Sequence, residues 1–86
     1  MIQFYWTEPF KKNFKRLPEN LKTKIPVVLA RFAENQHYPS LQVKKMEGRQ
    51  DIWEMRLNDS YRITFQFVKE GVFLRRVGTH DILRTP

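Results

Sequence analysis

The sequence predicts an α+β fold in the order β-α-α-β-β-β, a small twisted, mainly antiparallel sheet with two helices packed on one face. Three observations carry this. Apolar residues recur at helical spacing between Phe10 and Ala33. From Ile52 onward the period falls to two, and the turn formers Asn58-Asp59-Ser60 and Lys69-Glu70-Gly71 divide that region into three strands.

The aromatic-rich stretch Ile2–Trp6 has strand propensity and ends at Thr7-Glu8-Pro9, where Thr7 is suited to cap a helix. Phe10, Phe14 and Leu17 then fall on one side of that helix, and Lys11, Lys12, Lys15 and Arg16 fall largely on the other until Pro18 interrupts. The basic side could touch phosphate, although a solvated helix face is the simpler reading.

A second helix is expected from about Pro18 to Asn35, with Leu21, Ile25, Val28, Leu29, Phe32 and Ala33 in one stripe and a kink or break at Pro26. Residues Gln36 to Gln50 hold His37, Pro39, Ser40, Gly48 and the pair Lys44-Lys45, and read as a loop-like connector.

In the first strand after the connector, Trp53, Met55 and Leu57 face one way and Ile52, Glu54 and Arg56 the other. The next strand separates Tyr61, Ile63, Phe65 and Phe67 from Arg62, Thr64 and Gln66, so Arg56 and Arg62 share a polar face across a hairpin. Their repulsion invites an anion between them. Val72 to Gly78 forms the last strand, with two competing parities, Val72/Leu74 and Phe73/Val77.

A chain of 86 residues with 41% apolar and 14% aromatic content can build one core, so residues 1–86 are read as a single domain. The absence of cysteine excludes disulfides and thiolate metal sites. Two histidines, with His37 in the connector, give no metal constellation, and no cofactor is implied. The start at Met1–Trp6 lacks the pattern of a signal peptide and no apolar run reaches membrane-spanning length, so a soluble, cytoplasmic protein with no membrane partner is expected. A net charge of +7 favours a polyanion or an acidic protein segment as partner.

The order of elements, the junction Lys15-Arg16-Leu17-Pro18, the Tyr61-Arg62 pair opening the penultimate strand and the ending Val77-Gly78-Thr79-His80-Asp81 together resemble the RelE/ParE superfamily of toxins from type II toxin–antitoxin pairs. The likeness spans nearly the whole chain. It implies a toxin bound by a cognate antitoxin, an acidic or amphipathic segment laid over the helices or the basic site. RelE-like members cut messenger RNA in the ribosomal A site without a metal, and ParE-like members inhibit DNA gyrase. The fold alone does not choose between them, and a passive RNA-binding or antitoxin-binding module is a third reading. By this resemblance, Arg62 stabilises the charged phosphate and His80 is the general acid. RelE-like nucleases often carry two strand lysines near the positions of Glu54 and Arg56 and a tyrosine near the C-terminus. The stretch Ile82–Pro86 has none, and the histidine ending is closer to members that use histidine as the acid.

The chemistry asks for similar groups. Attack by a ribose 2′-hydroxyl needs a proton acceptor, a donor to the leaving oxygen and cations around the phosphate. Glu54 as base, His80 as acid, and Arg56 and Arg62 as clamps would supply them and yield a 2′,3′-cyclic phosphate. Lys44, Lys45 and Arg76 are candidate RNA-backbone contacts. Each has a structural rival. Glu54 and Arg62 can form a plain cross-strand ion pair, and Thr79-His80-Asp81 can form a capped turn. Trp6, Trp53 and Tyr61 can stack on bases, but Trp53 is expected in the core.

Overall fold

Nine segments of regular structure appear in the computed structural model, which describes residues 2–86 and leaves Met1 outside. They are β1 (Gln3–Trp6), α1 (Glu8–Lys15), α2 (Glu19–Glu34), a 3-10 turn (Pro39–Leu41), β2 (Lys44–Lys45), β3 (Trp53–Arg56), β4 (Tyr61–Val68), β5 (Gly71–Thr79) and a final 3-10 segment (His80–Arg84). The sheet has five strands in the order β1-β5-β4-β3-β2, with β1 parallel to β5 and every other pairing antiparallel.

Local chemistry sets the helix ends. Thr7 caps α1 by accepting the Phe10 amide, and its hydroxyl donates to the Leu74 carbonyl at 2.7 Å, so one residue both starts the helix and ties it to β5. The chain runs unbroken as α2 through Pro26, contrary to the expected break. Pro26 lies on the exposed side, where water can satisfy the carbonyl it leaves unpaired. The buried stripe Leu21, Ile25, Val28, Leu29 and Phe32 holds both halves on the sheet.

That stripe and Phe10 pack against Met55, Ile63, Phe65, Leu74 and Val77, forming one hydrophobic cluster on one face of the sheet. Phe32 is fully buried in it, edge-on to Phe65 and tilted against Phe4. Trp53 and Tyr61 also pack against this cluster, and Trp6 stacks edge-on with Phe10 and Phe14. The three aromatics considered for base stacking therefore serve the core.

Two sequence expectations are corrected. The connector contains a strand: Lys44 and Lys45 pair with Glu54 and Trp53 to add β2 to the sheet edge, making the order β-α-α-β-β-β-β. Two residues carry no periodicity, so this strand exists only through its pairing. Of the two competing parities of the last strand, Val72/Leu74 holds and Phe73/Val77 holds only for Val77, since Phe73 is exposed. A register shift between Thr64 and Phe65 makes Arg75 the extra residue of a bulge, so Val72 and Leu74 face the core before it and Val77 after it.

Candidate active site

The face of the sheet opposite the helices carries the polar residues. Register places Lys44, Glu54, Thr64 and Arg76 in one row across β2, β3, β4 and β5, and Arg56, Arg62 and Gly78 in the next row. Alternation thus brings Glu54, Arg56 and Arg62 onto one surface.

Arg56 and Arg62 are direct cross-strand partners, yet no shared anion is needed between them. Each has its own carboxylate: Arg56 bonds Asp59 in the hairpin turn, and Arg62 Nε lies 3.9 Å from Glu54 Oε1. The turn itself shapes Arg62. Asn58 Oδ1 accepts the Ser60 and Tyr61 amides at 2.9 and 2.8 Å, which turns the Asn58 carbonyl toward Arg62 Nη1 at 2.6 Å. A further bond to the Tyr61 carbonyl at 3.0 Å fixes the guanidinium, whose side chain is 14% exposed.

Glu54 is buried, at 7% exposure, although its face of the sheet is not the helix face. The segment after β5 reaches Thr64, the register partner of Glu54. It folds back over the sheet, where Ile82 sits against Gly78 and the Pro86 main-chain oxygen accepts bonds from Thr64 Oγ1 and Arg75 Nε, each at 3.1 Å. The β5 bulge aims two arginines at this segment, Arg75 Nε at Pro86 and Arg76 Nη1 at Thr85, while Arg75 Nη1 donates to Gln66 on β4. Arg49 extends from the β2–β3 loop to the Arg84 carbonyl at 2.6 Å. With side chains only 10% and 14% exposed, the Glu54–Arg62 contact is a largely desolvated ion pair rather than a surface one.

His80 opens the final 3-10 segment two residues beyond Gly78, the register partner of Arg62, so it stands at the Arg62 end of the sheet. It is exposed, and its ring makes no hydrogen bond or ion pair among the described residues. The capped-turn alternative fails, because Thr79 makes no side-chain cap bond.

The remaining predicted contacts separate. Lys44 lies on the polar face opposite Glu54, whereas Lys45 pairs with Trp53 and points to the helix side. Arg76 is committed to structure: Nε donates to Asn13 Oδ1 at 3.2 Å, and Nη1 donates to the Thr85 carbonyl at 3.0 Å and hydroxyl at 2.6 Å. Asn13 also accepts the Val77 amide at 3.2 Å, satisfying the β5 edge where β1 has ended. Sequence reading passed over Asn13 and Arg75. The signals were present: a lone polar residue beside Phe10, Phe14 and Leu17, and two successive arginines where alternation calls for one. Among the described residues, no group of three or more histidine, aspartate or glutamate side chains is placed to hold a metal, and no helix is long and apolar enough to cross a membrane.

The arrangement offers a fixed guanidinium with a buried carboxylate behind it, a second arginine alongside and an unencumbered imidazole at the rim. Anion binding and proton donation are both within its means.

No protein-family model matches the chain, and no curated protein sequence does. Solved structures match it closely in shape. A chain of the RelB–RelE antitoxin–toxin complex from Methanococcus jannaschii superposes with a TM-score of 0.74 at 18% identity, covering 94% of this chain and 95% of that one. A chain of the intact E. coli RelBE complex gives 0.71 at 22% identity, covering 92% and 96%. YafQ from E. coli gives 0.75 at 10% identity, covering 96% and 98%. The fold is that of the RelE-type toxins of toxin–antitoxin systems.

Proposed function

We propose that this chain is the toxin of a type II toxin–antitoxin pair and a metal-independent endoribonuclease that cuts messenger RNA at the ribosome. The observation that carries this reading is the Arg62 guanidinium, held by Glu54 and the Asn58 turn on the polar face, with His80 at the same end of the sheet. The fold shared with RelE and YafQ supports it.

Arg62 binds a non-bridging phosphate oxygen and gathers the charge that grows as the 2′-hydroxyl attacks phosphorus. Glu54, the only carboxylate in ion-pair range of Arg62 among the described residues, orients that guanidinium and accepts the 2′-hydroxyl proton. His80 donates a proton to the departing 5′-oxygen, leaving a 2′,3′-cyclic phosphate. Arg56 adds a second cation once phosphate competes with Asp59. Lys44, on the same face, steadies the RNA backbone. An antitoxin of acidic or amphipathic character is the protein partner, and the cytoplasm is the site of action.

The test is mapping of RNA 3′ ends in a translating lysate given purified protein. Codon-phased cuts with cyclic phosphate ends, lost in Arg62→Ala and His80→Ala, are expected. Intact RNA with gyrase-dependent DNA breaks would replace this reading with gyrase inhibition, and neither effect would leave a binding module.

A further inference from the structure

Three adjoining depressions run along the seam between α1 and β5. The first, about 210 Å³, lies between Thr7 and Arg76. It shares Pro9 and Arg76 with the second, about 330 Å³, which shares Asn13 and Arg16 with the third, about 250 Å³. The third ends on Tyr61, Gly78 and Thr79, the residues that flank Arg62 in sequence, face it in register and precede His80.

From this geometry we infer that the seam is a track for the phosphate backbone of single-stranded RNA leading to the Arg62 site, a deepening that rests on the ribonuclease reading. Lys12 on α1 and Arg16 at its C-cap stand one helical turn apart, both exposed, and neither has an acidic partner among the described residues. Arg76 forms the floor, fixed by Asn13 and Thr85. The one carboxylate in the middle depression, Glu8, is paired with Lys11 at 3.7 Å. The lining is therefore net positive, and that charge complements a phosphate chain. The lysine-bearing face of α1 is then more than a solvated face, because the fold sets part of it against β5.

The test uses fluorescence anisotropy of a labelled 2′-O-methyl single-stranded oligoribonucleotide, which cannot be cut, titrated at several salt concentrations. Lys12→Ala/Arg16→Ala should lower the slope of log affinity against log salt by about 1.4, roughly 0.7 per phosphate contact, and weaken binding on the order of tenfold at 0.1 M salt. Lys24→Ala/Lys69→Ala, an equal loss of charge away from the seam, should change neither. Equal binding by the two double variants overturns the track, as does a wild type that shows no saturable binding. A poly-glutamate peptide that binds as tightly, with the same loss in Lys12→Ala/Arg16→Ala, would make the seam an acidic-protein site instead. Seam-dependent binding without cuts in the lysate would leave the track standing and remove the nuclease reading.

Discussion

Replacing either member of the Glu54–Arg62 pair tests whether the polar face is built around a desolvated ion pair. At 3.9 Å the Coulomb attraction is about 4 kcal/mol for an effective dielectric near 20. Desolvation opposes most of that gain, since the two side chains are only 10% and 14% exposed. Arg62 also keeps the Asn58 and Tyr61 carbonyls when Glu54 is lost. The pairwise coupling should therefore be about 1–2 kcal/mol, and Glu54→Gln alone should cost about 2 kcal/mol, below the range of roughly 3–5 kcal/mol for stranding a buried charge with no other partner. Urea unfolding of wild type, Glu54→Gln, Arg62→Gln and the double variant measures both. With a slope of about 1–2 kcal/mol per molar urea, the Glu54→Gln midpoint should fall by roughly 1–2 M. Additivity of the two single changes within about 0.5 kcal/mol would refute the argument and return the contact to the status of a surface pair.

Other positions give equally direct tests. His80→Ala should leave stability within about 0.5 kcal/mol of wild type, because the ring is exposed and unbonded, while cleavage in the lysate falls by about 10²-fold or more; unchanged cleavage would remove His80 from the chemistry. A methyl group on Gly71 would lie 2.0 Å from the Gln3 carbonyl oxygen, so Gly71→Ala should force β1 and β5 apart and lower Tm by several degrees or prevent folding; a wild-type melt would contradict the parallel register. Asn13→Ala strips an acceptor from both the Val77 amide and Arg76 Nε and should cost about 1–3 kcal/mol by chemical denaturation, with a change under 0.5 kcal/mol counting against the edge-capping role. Thr7→Ala should cost about 1–2 kcal/mol through loss of the cap and the tie to Leu74, read by the same unfolding curve.

Much of this architecture can be read from local pattern. The cap at Thr7, the stripe from Leu21 to Phe32, the alternation through Met55 and Ile63, and the shared face of Glu54, Arg56 and Arg62 depend on neighbours within one turn or one hairpin. Periodicity encodes such relations directly, because the side-chain direction repeats every 3.6 or 2 residues. The unbroken course of α2 through Pro26 is the exception among the helices, decided by packing against the sheet rather than by the proline.

Other features exist only through contacts between distant residues. β2 is a strand because Glu54 and Trp53 offer it partners, and the parity of β5 changes because Arg75 is squeezed out of a ladder that Thr64 and Phe65 define. The same bulge turns Arg75 onto Pro86 and Arg76 onto Thr85, which pins Arg76 in place, and the returning chain bonds Thr64 through the Pro86 main-chain oxygen. It is likewise the docking of α1 on the β5 edge that sets Lys12 and Arg16 along a seam leading to Arg62. The sequence by itself determined which residue types share a face. Only the tertiary structure decided which of them stay available to a ligand, because availability depends on what the rest of the chain folds over them.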